Sequence, residues 1–187
     1  AVDGVETINI TVKDSTSAGF DATAKDTGLQ TAKTVNILGG NGLSKFVMTT
    51  ATFDDNSIAQ TIDSSTFAGA IELNFASNAL DSTVTVKGGA STSDKITTVI
   101  ADTANKPAAI SGVESIIVTS TNDDLDASFD MANVTGATSV SATFVTTGNG
   151  DQIELDNVPA ALKVKATVTA GTNTDDDVLD IGYADAS

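Results

Sequence analysis

Histidine, cysteine, arginine and tryptophan are all absent from this chain of 187 residues. Without histidine and cysteine, the chain lacks the most common general base and the thiol nucleophile of covalent catalysis. Without cysteine it also has neither disulfides nor thiolate–metal sites. No G-x-S-x-G or H-E-x-x-H motif appears in place of these groups. We therefore expect that the protein is not an enzyme.

Positive charge is scarce, since the chain has 25 acidic residues and 9 basic ones, all of them lysine. The formal net charge is −16. A field of this sign repels nucleic acid and anionic membrane surfaces, so we expect neither as a partner. No apolar run approaches the length that spans a bilayer, which predicts no transmembrane segment. The chain does not begin with methionine, and we expect a piece of a larger exported protein.

Aromatic residues are also few, at 4% of the chain, so the apolar residues that remain are mostly β-branched or small. Such residues suit pleated sheets. In residues 6–12 (ETINITV), Ile8, Ile10 and Val12 alternate with polar residues, and similar runs recur between turns rich in Gly, Asn, Asp and Ser. The pattern predicts an all-β fold. One of the two weak helical signals covers residues 126–133.

One sequence segment occurs twice. Residues 4–10 (GVETINI) are similar to residues 112–118 (GVESIIV), which lie 108 positions later. This repeat predicts a first β-repeat module over residues 1–107 and a second, shorter copy over residues 108–187. Glu6 and Glu114 recur in the same register, and we expect both to be exposed carboxylates at strand edges.

Four loops share a turn of small residues followed by a strand: 39–47 (GGNGLSKFV), 88–96 (GGASTSDKI), 147–153 (TGNGDQI) and 171–179 (GTNTDDDVL). They resemble degenerate forms of the G-G-x-G-x-D-x-U-x nonapeptide of secreted repeats-in-toxin proteins. The GVETINI phrase is similar to strand openings in Thr/Ala/Ser-rich bacterial surface-layer (S-layer) proteins and adhesins. The resemblance implies an extracellular, cell-surface location and a parallel β-roll that binds Ca²⁺ between successive turns.

The resemblance also implies calcium ligands at the aspartates of these loops, because Ca²⁺ takes six to eight oxygen ligands. Ser44 stands where the first loop should have its acid, so no ion is expected there. A separate acidic run at residues 122–126 (NDDLD) could also converge on a hard cation, and solvated turns are the alternative for every one of these residues. The candidate ligands are Asp94, Asp123, Asp124, Asp126, Asp151, Asp175, Asp176, Asp177 and Asp180.

Two architectures fit the strand pattern. A parallel β-roll or β-helix-like solenoid suits a core of Val, Ile and Thr, and tandem β-sandwich modules are the alternative. The sequence favours a structural, self-assembling extracellular protein, a module of a surface layer or filament with calcium-supported repeats. Its partners would be other copies, in a homo-oligomeric lattice or filament, with cell-surface polysaccharide bound through other parts of a larger chain. An adhesin repeat or carbohydrate-binding module is the second hypothesis, although sugar sites usually need aromatic platforms.

Overall fold

The computed structural model describes residues 6–13, 20–22, 32–51, 58–101, 104–120, 126–145, 152–169 and 178–184. Within these ranges all regular secondary structure is β-strand. The strands are β1 (Thr7–Val12), β2 (Phe20–Ala22), β3 (Thr34–Gly39), β4 (Lys45–Ala51), β5 (Gln60–Asp63), β6 (Ala70–Ser77), β7 (Val84–Lys87), β8 (Lys95–Ile100), β9 (Ala104–Asn105), β10 (Ala109–Ser111), β11 (Ser115–Ser120), β12 (Asp126–Asp130), β13 (Val134–Thr135), β14 (Ser139–Val145), β15 (Gln152–Val158), β16 (Lys163–Thr169) and β17 (Val178–Tyr183).

The strands form three sheets in which every pairing is parallel. The first sheet has the order β1-β3-β5-β7-β10-β13, the second β2-β4-β6-β8-β11-β14-β16, and the third β9-β12-β15-β17. From β7 to β15 the chain visits the first, second and third sheets in turn before it begins the next coil, and β16 and β17 then continue the second and third sheets. The protein is therefore a parallel β-solenoid, which confirms the favoured architecture.

Apolar side chains stack in columns along the inside of the solenoid. Residues that occupy the same position in successive strands pair in register, so one column repeats a β-branched or aliphatic side chain on each rung. Burying these columns stabilises the fold by roughly 25 cal/mol for each Å² of apolar surface removed from water. One column in the first sheet contains Val35, Ile62, Val86, Ile110 and Val134, and one in the second contains Met48, Leu73, Ile96, Ile116 and Val140.

The helix signal at residues 126–133 is wrong, because residues Asp126–Asp130 form strand β12. Ala127 and Phe129 of this strand are both buried, and β12 pairs with β9 on one side and β15 on the other. The alternation of two buried positions, together with pairing on both edges, outweighs the weak local helix propensity.

The sequence repeat relates strands of different sheets. Thr7 begins β1 in the first sheet, whereas the residue 108 positions later, Ser115, begins β11 in the second. The ladders also run without interruption past residues 107 and 108, because β7 pairs with β10 and β8 pairs with β11. The similar phrases therefore do not occupy equivalent places on the solenoid.

Candidate functional site

Polar residues mark the corner where the chain enters the second sheet. Ser44, Asp94, Glu114 and Thr138 each stand immediately before a strand of this sheet, at β4, β8, β11 and β14 respectively. The first three use their side chains as hydrogen-bond acceptors for backbone N–H groups, as Ser44 does by accepting from Asn41 at 3.0 Å.

Asp94 connects two coils at this corner. Its side chain is 0% exposed. Oδ1 accepts a hydrogen bond from the N–H of Ile71 at 3.0 Å, and Oδ2 accepts one from the N–H of Gly89 at 2.7 Å. Ile71 lies on the neighbouring rung and Gly89 in the turn after β7, so one carboxylate fixes the turn and the adjacent strand together. Charge-assisted hydrogen bonds of this kind are stronger than neutral ones.

Burial raises the pKa of Asp94, and it outweighs the two backbone hydrogen bonds, which act in the opposite direction. The nearby carboxylate of Glu114 also raises the pKa of Asp94. Glu114 is half-buried, and its Oε2 accepts from the Asp94 N–H at 2.9 Å. The prediction that Glu114 is an exposed carboxylate at a sheet edge is therefore wrong, since β11 is an interior strand paired on both sides.

Glu72 forms the centre of an ion-pair ladder across three strands of the second sheet. Its carboxylate binds the Lys45 ammonium on β4 and the Lys95 ammonium on β8, the latter at 2.6 Å. The hydrogen bond from Lys45 lowers the pKa of Glu72 most, and the one from Lys95 lowers it further. Because the three groups are partly exposed, the ladder contributes to alignment of the rungs more than to stability.

A similar pair lies on the first sheet, where the Lys87 ammonium is 2.9 Å from Asp63 Oδ2. The Ser65 hydroxyl, which donates to Asp63 Oδ1 at 2.6 Å, lowers the pKa of Asp63 most, and Lys87 lowers it further. A further ion pair lies just before β1 and β3, where the Lys33 ammonium is 2.7 Å from Glu6 Oε1, and the hydrogen bond from Lys33 lowers the pKa of Glu6.

The third sheet has one such pair within its described residues. Burial raises the pKa of Asp130, but hydrogen bonds from Lys106, the Ala132 N–H and Asn157 outweigh it and leave the pKa lowered. The Lys106 ammonium is 2.7 Å from Asp130 Oδ2. The acid that pairs with Asp130 in register on β15 is Asp156, so the acids of this sheet are neighbours on successive rungs.

These pKa directions predict how acidification affects an Asp94→Asn variant. Glu72, Asp63 and Asp130 have lowered pKa values when folded, so their contribution to stability is lost as the pH falls through those values, below about pH 4. Asp94 has a raised pKa, so its contribution is complete below its unfolded pKa and is lost as the pH rises through its folded pKa. The loss of stability caused by Asp94→Asn should therefore grow as the pH is lowered from 7 to about 4. Urea denaturation of both proteins at each pH measures it, and a constant or shrinking loss would contradict the assignment.

The acids predicted as calcium ligands divide into two groups. Asp94 is buried at the corner described above, Asp126 begins β12, and Asp180 is exposed on β17 in register with Glu154 of β15. The other candidates, Asp123, Asp124, Asp151, Asp175, Asp176 and Asp177, lie outside the described residues. Within the described ranges no three carboxylates converge in a way that could hold a metal ion. The calcium ligands stay a prediction.

Three of the predicted calcium segments share one place in the topology. Residues 121–125, 146–151 and 170–177 each connect a strand of the second sheet to a strand of the third, in successive coils. Two of the strands that precede these segments, β14 and β16, are neighbours, and Val145 pairs with Thr169 at their ends. The strands that follow the segments, β12, β15 and β17, are also neighbours. At their starts Asp126 pairs with Gln152, and Gln152 pairs with Val178.

The last rung of the solenoid leaves its inward column uncovered. Val168 of β16 continues the column of Phe144, yet Phe144 is 2% exposed and Val168 is 57% exposed. Leu179 and Ile181 of β17 likewise continue buried columns of β15 and are only half-buried. Each of β16 and β17 pairs on one side only within the described residues. Among the described strands, this end therefore presents apolar surface together with backbone N–H and C=O groups that no further strand pairs.

Two further observations complete the description of the chain. Among the described residues there is no helix with the length and hydropathy needed to cross a bilayer. Comparison of the sequence with models of protein families and with curated proteins, and of the structure with solved structures, gives no match.

Proposed function

We propose that the protein is a structural module of an extracellular self-assembling layer or filament, with repeats supported by calcium. The observation that carries this proposal is the uncovered end of the parallel solenoid. An exposed strand edge beside exposed apolar side chains is a template for pairing with another chain. A second copy of the same solenoid offers strands of matching spacing and direction.

The geometry of such pairing supports growth from end to end. Strand β16 ends the second sheet on one side, and β2 ends it on the other. Pairing β16 of one copy with β2 of the next would extend the sheet by the usual strand spacing of about 4.8 Å. Head-to-tail contacts of this kind produce open filaments when the rotation between successive copies does not close into a ring.

Calcium fits the same proposal through the acidic connections between the second and third sheets. The strand ends that flank these connections stack on neighbouring rungs. A hard cation shared between successive coils would reduce the repulsion within a chain whose net charge is −16. Addition of Ca²⁺ after chelation should then raise the melting temperature and promote assembly together.

A lysine at the uncovered end should block assembly. In a Val168→Lys variant the new charge lies on the edge strand, where lysine discourages pairing between chains. Because Val168 is largely exposed, the fold should remain stable, with a free energy of unfolding within about 0.5 kcal/mol of the unmodified protein. Analytical ultracentrifugation and negative-stain electron microscopy should show assembled particles for the unmodified chain and monomers for the variant.

The matched control is Leu43→Lys, which makes the same change at an apolar residue that is 78% exposed and lies in the turn before β4. This variant should assemble normally. Equal assembly of the Val168→Lys variant, or a monomeric unmodified chain at every concentration with and without Ca²⁺, would count against the proposed function. Saturable binding of glycans by such a monomer would instead favour the adhesin hypothesis.

A further inference from the structure

The outer face of the first sheet carries no net charge. Its six strands contain one acid, Asp63, and one lysine, Lys87, which bind each other at 2.9 Å. The second sheet, from β4 to β16, contains four lysines and one acid, and the strands of the third sheet contain acids but no lysine. Among the described strands, the first sheet is therefore the face that two copies of a chain with a net charge of −16 can bring together without opposing like charges.

The polar side chains in the middle of this face already bind one another. Asn36 donates its amide N–H to Asn9 Oδ1 at 2.7 Å, and the next two residues of the same register column are Asp63 and Lys87, which form the ion pair. Burial of a charge is costly mainly when the charge has no partner. A second copy can therefore cover this column without leaving a charge unpaired.

A column of threonines lies beside these polar side chains. Thr7, Thr34, Thr61 and Thr85 pair in register on four successive strands, and Ala109 continues the column on β10. These side chains are short and nearly equal in length, so they form a flat surface. Stacked columns of identical side chains interdigitate in the dry interfaces between paired sheets. The face therefore has the shape that packing against a second sheet requires.

From the neutral charge and the flat threonine column we infer that filaments associate in pairs, with the first sheet of each copy packed against the first sheet of a copy in the other filament. The inference rests on the proposed self-assembly and names the lateral contact within it. The contact is isologous, because both copies use the same face, and two-fold symmetry of this kind is the most common in homo-oligomers. Each face is fully occupied by its partner, so this association stops at two filaments.

The other two sheets do not support an isologous contact. Packing of two second sheets would juxtapose Lys163 and Lys165 of both copies, and these lysines form no ion pair among the described residues. Packing of two third sheets would juxtapose Asp180, an exposed acid on an edge strand. Juxtaposed like charges oppose association. Of the three sheets, only the first is free of this repulsion in its described strands.

The size of the face indicates how strong the contact is. Its six strands span about 24 Å at a strand spacing of about 4.8 Å, and β1 and β3, with six residues each, are its longest strands. Such a face covers roughly 400 Å² on each copy, about half of the roughly 800 Å² that each partner contributes to a standard interface. Single copies, such as the Val168→Lys variant, should therefore remain monomers, whereas filaments repeat the contact on every copy and stay paired.

A lysine at the centre of the face tests the contact. Thr61 lies on β5, the third of the six strands, and its side chain is half-buried by its neighbours. In a Thr61→Lys variant each contact would enclose two added ammonium groups, so lateral association should weaken tenfold or more. Negative-stain electron microscopy should show paired filaments for the unmodified chain and single filaments, of half the width, for the variant.

The matched control is Thr119→Lys, which makes the same change at a half-buried, outward-facing threonine of the second sheet. Filaments of this variant should remain paired. Thermal melting of both variants shows whether the strands still form. A Thr61→Glu variant should also give single filaments. Mixing these with Thr61→Lys filaments should restore the pairs, because opposite charges then meet across the contact.

The outcomes separate the two proposals. Recovery of pairs in the mixture supports the contact between first sheets. Particles of equal width in the Thr61→Lys and Thr119→Lys variants would overturn this contact and leave end-to-end assembly in place. Separation of the unmodified pairs at about 1 M salt would overturn it too, because screening within about 3 Å weakens an ionic contact and not a neutral one. Absence of any particles in the unmodified chain would overturn the proposed function itself, and the lateral contact with it.

Discussion

Replacing Asp94 with alanine should destabilise the protein by roughly 3 kcal/mol, because it leaves two backbone donors without acceptors and each buried unsatisfied group costs about 1–3 kcal/mol. The donors are the N–H groups of Ile71 and Gly89, which both point at the Asp94 carboxylate. Relief of the repulsion from Glu114 offsets part of the loss. Urea denaturation monitored by circular dichroism gives the free energy of unfolding from the midpoint and the slope.

Two further variants test whether the lost hydrogen bonds cause this loss of stability. Asp94→Asn keeps one oxygen as an acceptor but turns an amide N–H₂ toward a backbone N–H, so its loss should be intermediate. Asp63→Ala removes an aspartate whose ion pair with Lys87 is partly exposed, and it should cost no more than about 1 kcal/mol. If Asp94→Ala and Asp63→Ala lose similar stability, the Asp94 carboxylate does not hold the corner together.

The strands could be predicted from the sequence because alternation of polar and apolar residues is a local property. Residues 6–12 were expected to be a strand from Ile8, Ile10 and Val12 alone, and β1 spans Thr7–Val12. The parallel solenoid was favoured by a core of small and branched residues and is confirmed. Alternation holds in every sheet, however, so it does not indicate which sheet a strand joins. For this reason the similar segments at residues 4–10 and 112–118 can form strands of different sheets, β1 in the first and β11 in the second.

The corner depends on contacts that are distant in sequence. An aspartate next to a glycine-rich turn looks the same whether its oxygens meet a cation or backbone N–H groups. For Asp94 the partners include Ile71, which is 23 positions away, so only the stacking of coils reveals this contact. The prediction for Glu114 is wrong for the same reason, since its contact with the Asp94 N–H joins residues 20 positions apart. The ladder at Glu72 likewise needed the register between three strands, which the sequence alone does not contain.

The positive charge on the strands of the second sheet also results from the stacking of the coils. Lysines 45, 95, 163 and 165 are spread along the chain, and no segment of the sequence is rich in them. Once the coils stack, all four lie on strands of one sheet. The composition gives only the sign of the net charge, whereas the fold places four of the nine lysines on strands of a single sheet. A net charge therefore says little about the local fields that a repetitive fold creates.

Gly88→Ala should be among the most damaging single substitutions in the described part of the chain. A Cβ at this position would overlap the carbonyl oxygen of Gly112 on the next rung and lie 2.9 Å from Asp94 Oδ2. Gly88 also donates its N–H to Ser111 at 2.7 Å, so it cannot move away without breaking a hydrogen bond between coils. Because the obstacle is backbone, the coils themselves must separate. We expect a loss of about 3 kcal/mol, at the upper end of the range for overpacked sites.

Gly42→Ala is the control, since a Cβ at this turn residue would have no atom within 4 Å. There the substitution should be neutral or stabilise the protein by up to about 1 kcal/mol, because alanine lowers the entropy of the unfolded chain. Thermal melting ranks the two variants, and urea denaturation gives the magnitudes. A Gly88→Ala protein as stable as Gly42→Ala would mean that the coils are not in close contact at Gly88 and Gly112. The stability of the Gly88→Ala variant also bears on Asp94, because the same glycine turn supplies the Gly89 N–H that the Asp94 carboxylate binds.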